Sequence, residues 1–240
     1  MEITSALQKT ATPVLISRFV RLEIASLGRK IARAFGYNRP DNILIEDIKI
    51  PDTRLAKDAT ELVESLSPPF LFNHCIRTYC FGVAIARHLD LKPDLELFYL
   101  SSIMHDLGLV DPHDKCEGSF EVVGANAALE FMLGKGASEE KAELVHEAIA
   151  LHSAVGIAHL REPEIALVHF GAGVDVIGFR AEDISQHTRD AIVGAYPRCG
   201  FKKAFPSLLQ YQVDRKPQCH IAGHYKLGFA AKIKGAPFCE

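Results

Sequence analysis

The sequence contains no uninterrupted apolar span, no run of like charge, no CxxC pair and no Gly-rich phosphate loop. A transmembrane helix needs about 20 consecutive apolar residues. The apolar groups of residues 1–36 are instead broken by Arg18, Arg21, Arg29, Lys30 and Arg33, and they lack the order of a secretory signal. The expected location is therefore cytoplasmic. The formal charge is -3, from 27 basic against 30 acidic residues. Nothing in that balance recruits nucleic acid or an anionic membrane surface. The partner expected is a small-molecule substrate or another protein chain, with a homo-oligomer left open. Without CxxC spacing or an export signal, Cys75, Cys80, Cys116, Cys199, Cys219 and Cys239 read as reduced thiols. Cys75 and Cys80 are expected to pack in a helix.

Strand-like alternation does not persist for more than a few residues. Helical periodicity, with capping residues and Gly or Pro connections, runs from about residue 54 onward. The fold expected is all-α. Helices are expected over Thr53–Ser65, Phe72–Leu89, Asp94–Leu107, Phe120–Gly134, Glu139–His152, Glu164–Ile177, Thr188–Ala195 and Lys202–Val213. Residues 1–42 read as an N-terminal extension, an amphipathic helix or mobile arm ending in the linker GYNRPDN, and 43–240 as one domain. The tail KIKGAPFCE carries no secondary-structure signal.

The chemistry-bearing residues begin with LSSIMHDLGLV, an oily stretch that ends on His105 and Asp106. Burying either is costly unless something pairs with it. If the helices on either side of LDLKPD form an antiparallel hairpin turning near Leu91, His74 lies roughly 25 Å before the turn and His105 roughly 21 Å after it. The two imidazoles can then meet. Gly108 permits a helix stop, which would let Asp106 converge with them. Asp175, the only acid in the apolar stretch FGAGVDVIGF, completes the set. Two imidazoles and two carboxylates suit a divalent metal, zinc first, with iron or manganese as alternatives. Such an ion lowers the pKa of its water and makes it a nucleophile.

The segments NHCIR, HD, SFEVVGANAALEFM, HEAIALHSAVGI, GVDVIG, AYPRCGFK and KPQCH together resemble the HD-domain metalloprotein superfamily, and within it the cyanamide hydratase-like branch. The resemblance covers about residues 45–225. It implies an HD-domain helical bundle with metal ligands at His74, His105, Asp106 and Asp175. It also matches His152 to a histidine that would hold substrate or shuttle a proton. Glu121 stands where the family accepts either acid, which implies a supporting or general-base role. Its place in a first helical turn is favoured by the helix dipole in any case. His146 is rotated by about 240° from His152 and should face elsewhere. Arg77 is expected to pair with Glu121 or another carboxylate, and the loop of Asp111, His113, Asp114 and Lys115 could be a lid or a solvated connection. Phe170, Phe179 and Ile103 read as core, with some shaping a small pocket.

Two reactions follow from the resemblance. One is addition of water to a small C≡N compound, cyanamide or a related nitrile. The other is hydrolysis of a nucleotide or other phosphate ester, which needs cationic groups around the anion. Leu109 stands where many phosphohydrolases of the superfamily carry a lysine, which favours the neutral substrate. The third reading is a metal-bound sensor without turnover.

Overall fold

The computed structural model describes residues 12–240, so the expectation for residues 1–11 lies outside the described residues. Among the described residues there are eleven α-helices and no strand. They are α1 (Thr12–Ala34), α2 (Arg54–Leu66), α3 (Pro69–Leu89), α4 (Leu95–Met104), α5 (Phe120–Gly134), α6 (Glu139–Leu151), α7 (Pro163–Ile177), α8 (Gln186–Ala195), α9 (Phe201–Arg215), α10 (His220–Lys226) and α11 (Phe229–Lys234). The fold is all-α, as the periodicity indicates.

Starts and stops follow the capping chemistry. Thr53, Asp94, Ser138 and Ser185 accept hydrogen bonds from backbone N–H groups of the first turns of α2, α4, α6 and α8. Asp90 and Gly178 end α3 and α7 in the left-handed conformation.

The central pair is α3 and α7, both mostly buried. A Cβ at Gly171 would lie 2.0 Å from the carbonyl oxygen of Thr78, so the two backbones touch there. One turn from that crossing, on α3, is His74, and one turn away on α7 is Asp175. The glycine thus sets the distance between two residues of the site. α4 packs beside this pair, with Phe98, Leu100, Ile103 and Met104 fully buried.

At the N-terminus the structure takes the helical one of the two expected alternatives, and at the C-terminus it adds a helix that the sequence did not signal. The segment read as an amphipathic helix or mobile arm is, over residues 12–34, a helix laid against the domain: Leu15 is buried, Arg33 pairs with Asp183 at 2.6 Å, and Arg29 pairs with Glu182 at 2.8 Å. The tail, which carries no secondary-structure signal in the sequence, contributes part of α11, buries Ile233 and sets Phe238 5.5 Å from the Phe81 ring. Its helix is short and its buried residues few, so periodicity had little to register. No described helix is long and apolar enough to cross a membrane.

Substituting Gly171→Ala should force α3 and α7 apart. The urea midpoint is expected to fall by the equivalent of about 3 kcal/mol, the upper end of overpacking costs, with m unchanged. A wild-type midpoint would mean that the backbones are not in contact.

Candidate metal centre

His74 projects from α3 and His105 caps the end of α4, and their Nε2 atoms come to 3.2 Å from one another. The hairpin geometry read from the sequence is therefore realised. Asp106 follows in the bridge region, at φ -106° and ψ 13°, and its Oδ2 lies 3.5 Å from His74 Nε2 and 3.3 Å from His105 Nε2. Gly108 acts differently from expectation. It is not left-handed; a Cβ there would lie 2.0 Å from the carbonyl oxygen of Phe120, so its role is to let the chain pass against the start of α5.

Each histidine is oriented from behind. Nδ1–H of His105 donates to the Ser102 carbonyl at 2.8 Å, and Nδ1–H of His74 donates to Asp175 Oδ2 at 2.7 Å. Both Nε2 lone pairs then face one point. Asp106 Oδ2 is buried there with no hydrogen-bond partner. The two imidazole Nε2 atoms and the orphaned carboxylate oxygen form the electrostatic complement of one cation, and these three groups could hold a metal ion. Their burial is nearly complete. Burial would lower the affinity of His105 for its proton, but the Asp106 charge outweighs it and holds that pKa well above the ordinary value. Burial likewise opposes ionisation of Asp106, yet His105 draws its pKa down to about 2. A divalent ion would displace the proton that this pair shares.

The structure does not bring Asp175 into that trio. Its carboxylate oxygens are engaged elsewhere: Arg77 Nε and Nη2 donate to Oδ1 and Oδ2, each at 2.8 Å, and Arg198 Nη1 donates to Oδ1 at 2.6 Å. Burial would raise its pKa, but Arg77, His74 and Arg198 hold it far below the usual carboxylate range. Asp175 here positions His74, the arrangement in which a carboxylate orients a metal-binding imidazole. Arg77 is accordingly paired with Asp175 and not with Glu121.

Arg198 is the residue that motif reasoning quoted, in AYPRCGFK, without giving it work. It is fully buried, and Arg77 also donates to the carbonyls of Tyr196 and Pro197 in the same segment. Phe201 lies under the Arg198 guanidinium at 4.7 Å and beside the His74 ring at 4.9 Å. A second arginine with no acid near it in sequence, next to an apolar helix start, was the available signal.

His152 caps α6, donates Nδ1–H to the Ile149 carbonyl at 2.6 Å, and points Nε2 toward Asp106 Oδ1 at 3.9 Å. Burial, helped by the His105 charge, lowers its pKa to about 3. Glu121 stands one step back: it accepts from Ser153 Oγ at 2.7 Å, and its Oε2 is buried without a partner. His146 faces elsewhere and meets Asn126 Oδ1 at 3.0 Å.

The trio closes one end of a cavity in which the space open to the centre of a water-sized molecule is ≈ 80 Å³. His152, Phe120, Phe179 and Phe205 form walls, and Phe19 and Leu22 of α1 with Ile221 and Phe229 complete the enclosure. No residue of the 111–115 loop lines it. That loop is tied to α9 through the Asp114 carbonyl, which accepts from Gln212 Nε2 at 3.0 Å. Of the three residues read as core, Ile103 is fully buried, Phe170 nearly so, and Phe179 is the one at the cavity.

The family model of the HD domain matches residues 71–190, half of the chain and the part that holds His74, the His105–Asp106 pair and Asp175. The chain belongs to the HD-domain family. HD domains are in general metal-dependent hydrolases, many of them phosphohydrolases, and the trio fits that chemistry. No curated protein matches the chain. Arg198 lies beyond the matched residues, so one of the two arginines that clamp Asp175 behind His74 comes from outside the matched core.

At the far side of the cavity His224 is buried, with Nε2 lacking a partner, and burial lowers its pKa to about 3. Unfolded, it titrates near 6.5. Between these values the unfolded chain binds the extra proton, so this contribution is whole above pH 6.5 and lost as pH falls toward 3. Lowering the pH from 7 to 5 should therefore cost about 2 kcal/mol through this one group. His224→Gln should show a shallower fall in its urea midpoint over that range, and an equal slope in the two proteins would contradict the assignment.

Proposed function

We propose that the protein adds activated water to a small neutral molecule, with cyanamide or a related nitrile as the first substrate to try. The observation that carries this reading is the lining of the cavity: among the described residues it contains no lysine or arginine. A phosphate ester brought into such a cavity would lose its hydration without gaining the cations its transfer needs. Leu109, at the position where many phosphohydrolases of the superfamily carry a lysine, is buried in the core. The similarity of the motifs to the cyanamide hydratase-like branch supports the same choice. Family membership by itself favours the phosphate ester, which is the second reading.

His74, His105 and Asp106 would hold a divalent ion, zinc before iron or manganese, and the chemistry it would supply is activation of water. The protein's own groups do the rest. Asp175, clamped by Arg77 and Arg198, holds the His74 ring so that Nε2 faces His105 and Asp106, where an ion would sit. His152, kept neutral by burial, presents a bare Nε2 as proton acceptor. Glu121 steadies Ser153 beside it. Apolar walls exclude bulk water and strengthen every electrostatic contact inside.

The test follows cyanamide conversion to urea by the zinc-supplemented protein. Wild type is expected to turn over. His105→Ala is expected to lose both metal stoichiometry and activity, whereas His152→Ala should keep the metal and lose activity about tenfold or more. A folded, metal-loaded wild type that ignores cyanamide and hydrolyses phosphate esters would transfer the assignment to the second reading.

A further inference from the structure

We propose that α1, with the C-terminal helices beside it, forms a docking surface for an anionic lipid bilayer, with α1 lying in the interface plane. One side of α1 faces the domain through Leu15, Phe19, Arg29 and Arg33. The opposite side is an apolar stripe, Ile16, Val20, Ile24, Leu27 and Ile31, between 45% and 65% exposed. It runs for roughly 22 Å along the helix, and nothing among the described residues covers it. Isolated exposed aliphatics are ordinary, but five in helical register on one face are a patch.

Charge identifies the occupant. Arg21 and Lys30 flank the stripe, are exposed, and make no ion pair among the described residues. The one acid on the helix, Glu23, is already engaged by Lys232 of α11. α10 and α11 pack beside α1, with His224 5.4 Å from the Phe19 ring, and they add the exposed Lys226 and Lys234, neither in an ion pair among the described residues, and no acid. The chain-average charge of -3, which gave the expectation of no membrane partner, hides this asymmetry. A second copy docked through the same face would set cations against cations, with its single acid spent. Anionic lipid headgroups answer the cations, and the acyl boundary accepts the stripe.

The full chain should co-sediment with vesicles containing phosphatidylserine. Its binding to phosphatidylcholine alone, or at high salt, should be weaker by about tenfold or more. Ile24→Asp with Leu27→Asp, at exposed positions that leave the helical spectrum unchanged, should abolish binding, and Arg21→Glu with Lys30→Glu should weaken it without altering turnover. Failure of wild type to bind anionic vesicles at low salt would overturn the proposal. So would light scattering that shows a dimer which the Ile24→Asp, Leu27→Asp variant dissociates, for the stripe would then belong to a second copy.

Discussion

Two imidazole nitrogens stand 3.2 Å apart beside the Asp106 carboxylate, a juxtaposition that a shared cation, proton or metal ion, satisfies. Much of the molecule serves that juxtaposition. His74 and His105 are aimed by hydrogen bonds made at the other side of each ring, and their helices are set by a crossing in which Gly171 meets the Thr78 carbonyl. Asp106 reaches the same point because the chain leaves the helix directly after His105 and passes between glycines, Gly108 against Gly124. With a cation present, the charges of the site are satisfied; with none, the His105–Asp106 pair shares a proton in its place.

Behind His74 stands a buried ionic cluster of one carboxylate and two guanidiniums. Buried ion pairs stabilise little in net terms, because desolvation offsets most of the attraction, but removing one partner is severe. The cluster is better read as an alignment device. Asp175 receives both arginines as well as His74, so the ring cannot rotate without breaking a network whose other ends are backbone carbonyls of Tyr196 and Pro197. Phe201, stacked on Phe205 at 4.5 Å, fills the remaining side. The His74 ring is thus held by polar contacts on one flank and aromatic contacts on the other.

The cavity joins chain segments that are remote in sequence. Its floor is the metal trio and its enclosure includes α1 and the last helices, elements outside the matched HD domain. The matched HD domain thus carries the residues that could hold an ion, while elements outside the match complete the walls of the cavity above them. The same outer elements carry the apolar stripe and the basic flank, so access to the site and the docking surface share a structural origin.

The sequence by itself determined the helical class, the capped boundaries of α2 to α7 within a few residues, and the meeting of His74 with His105, because helical rise and period are local quantities. It marked Asp106 and Asp175 as buried acids needing partners. Only the tertiary structure decided who those partners are. Asp175 was expected on the metal and is found on two arginines and a histidine, since direction of a carboxylate depends on neighbours 23 and 98 residues away. Glu121 likewise meets Ser153 and not Arg77. The roles of Arg198, of α1 over the cavity and of the C-terminal helices were invisible for the same reason: none is periodic or local, and each exists only where distant segments pack together.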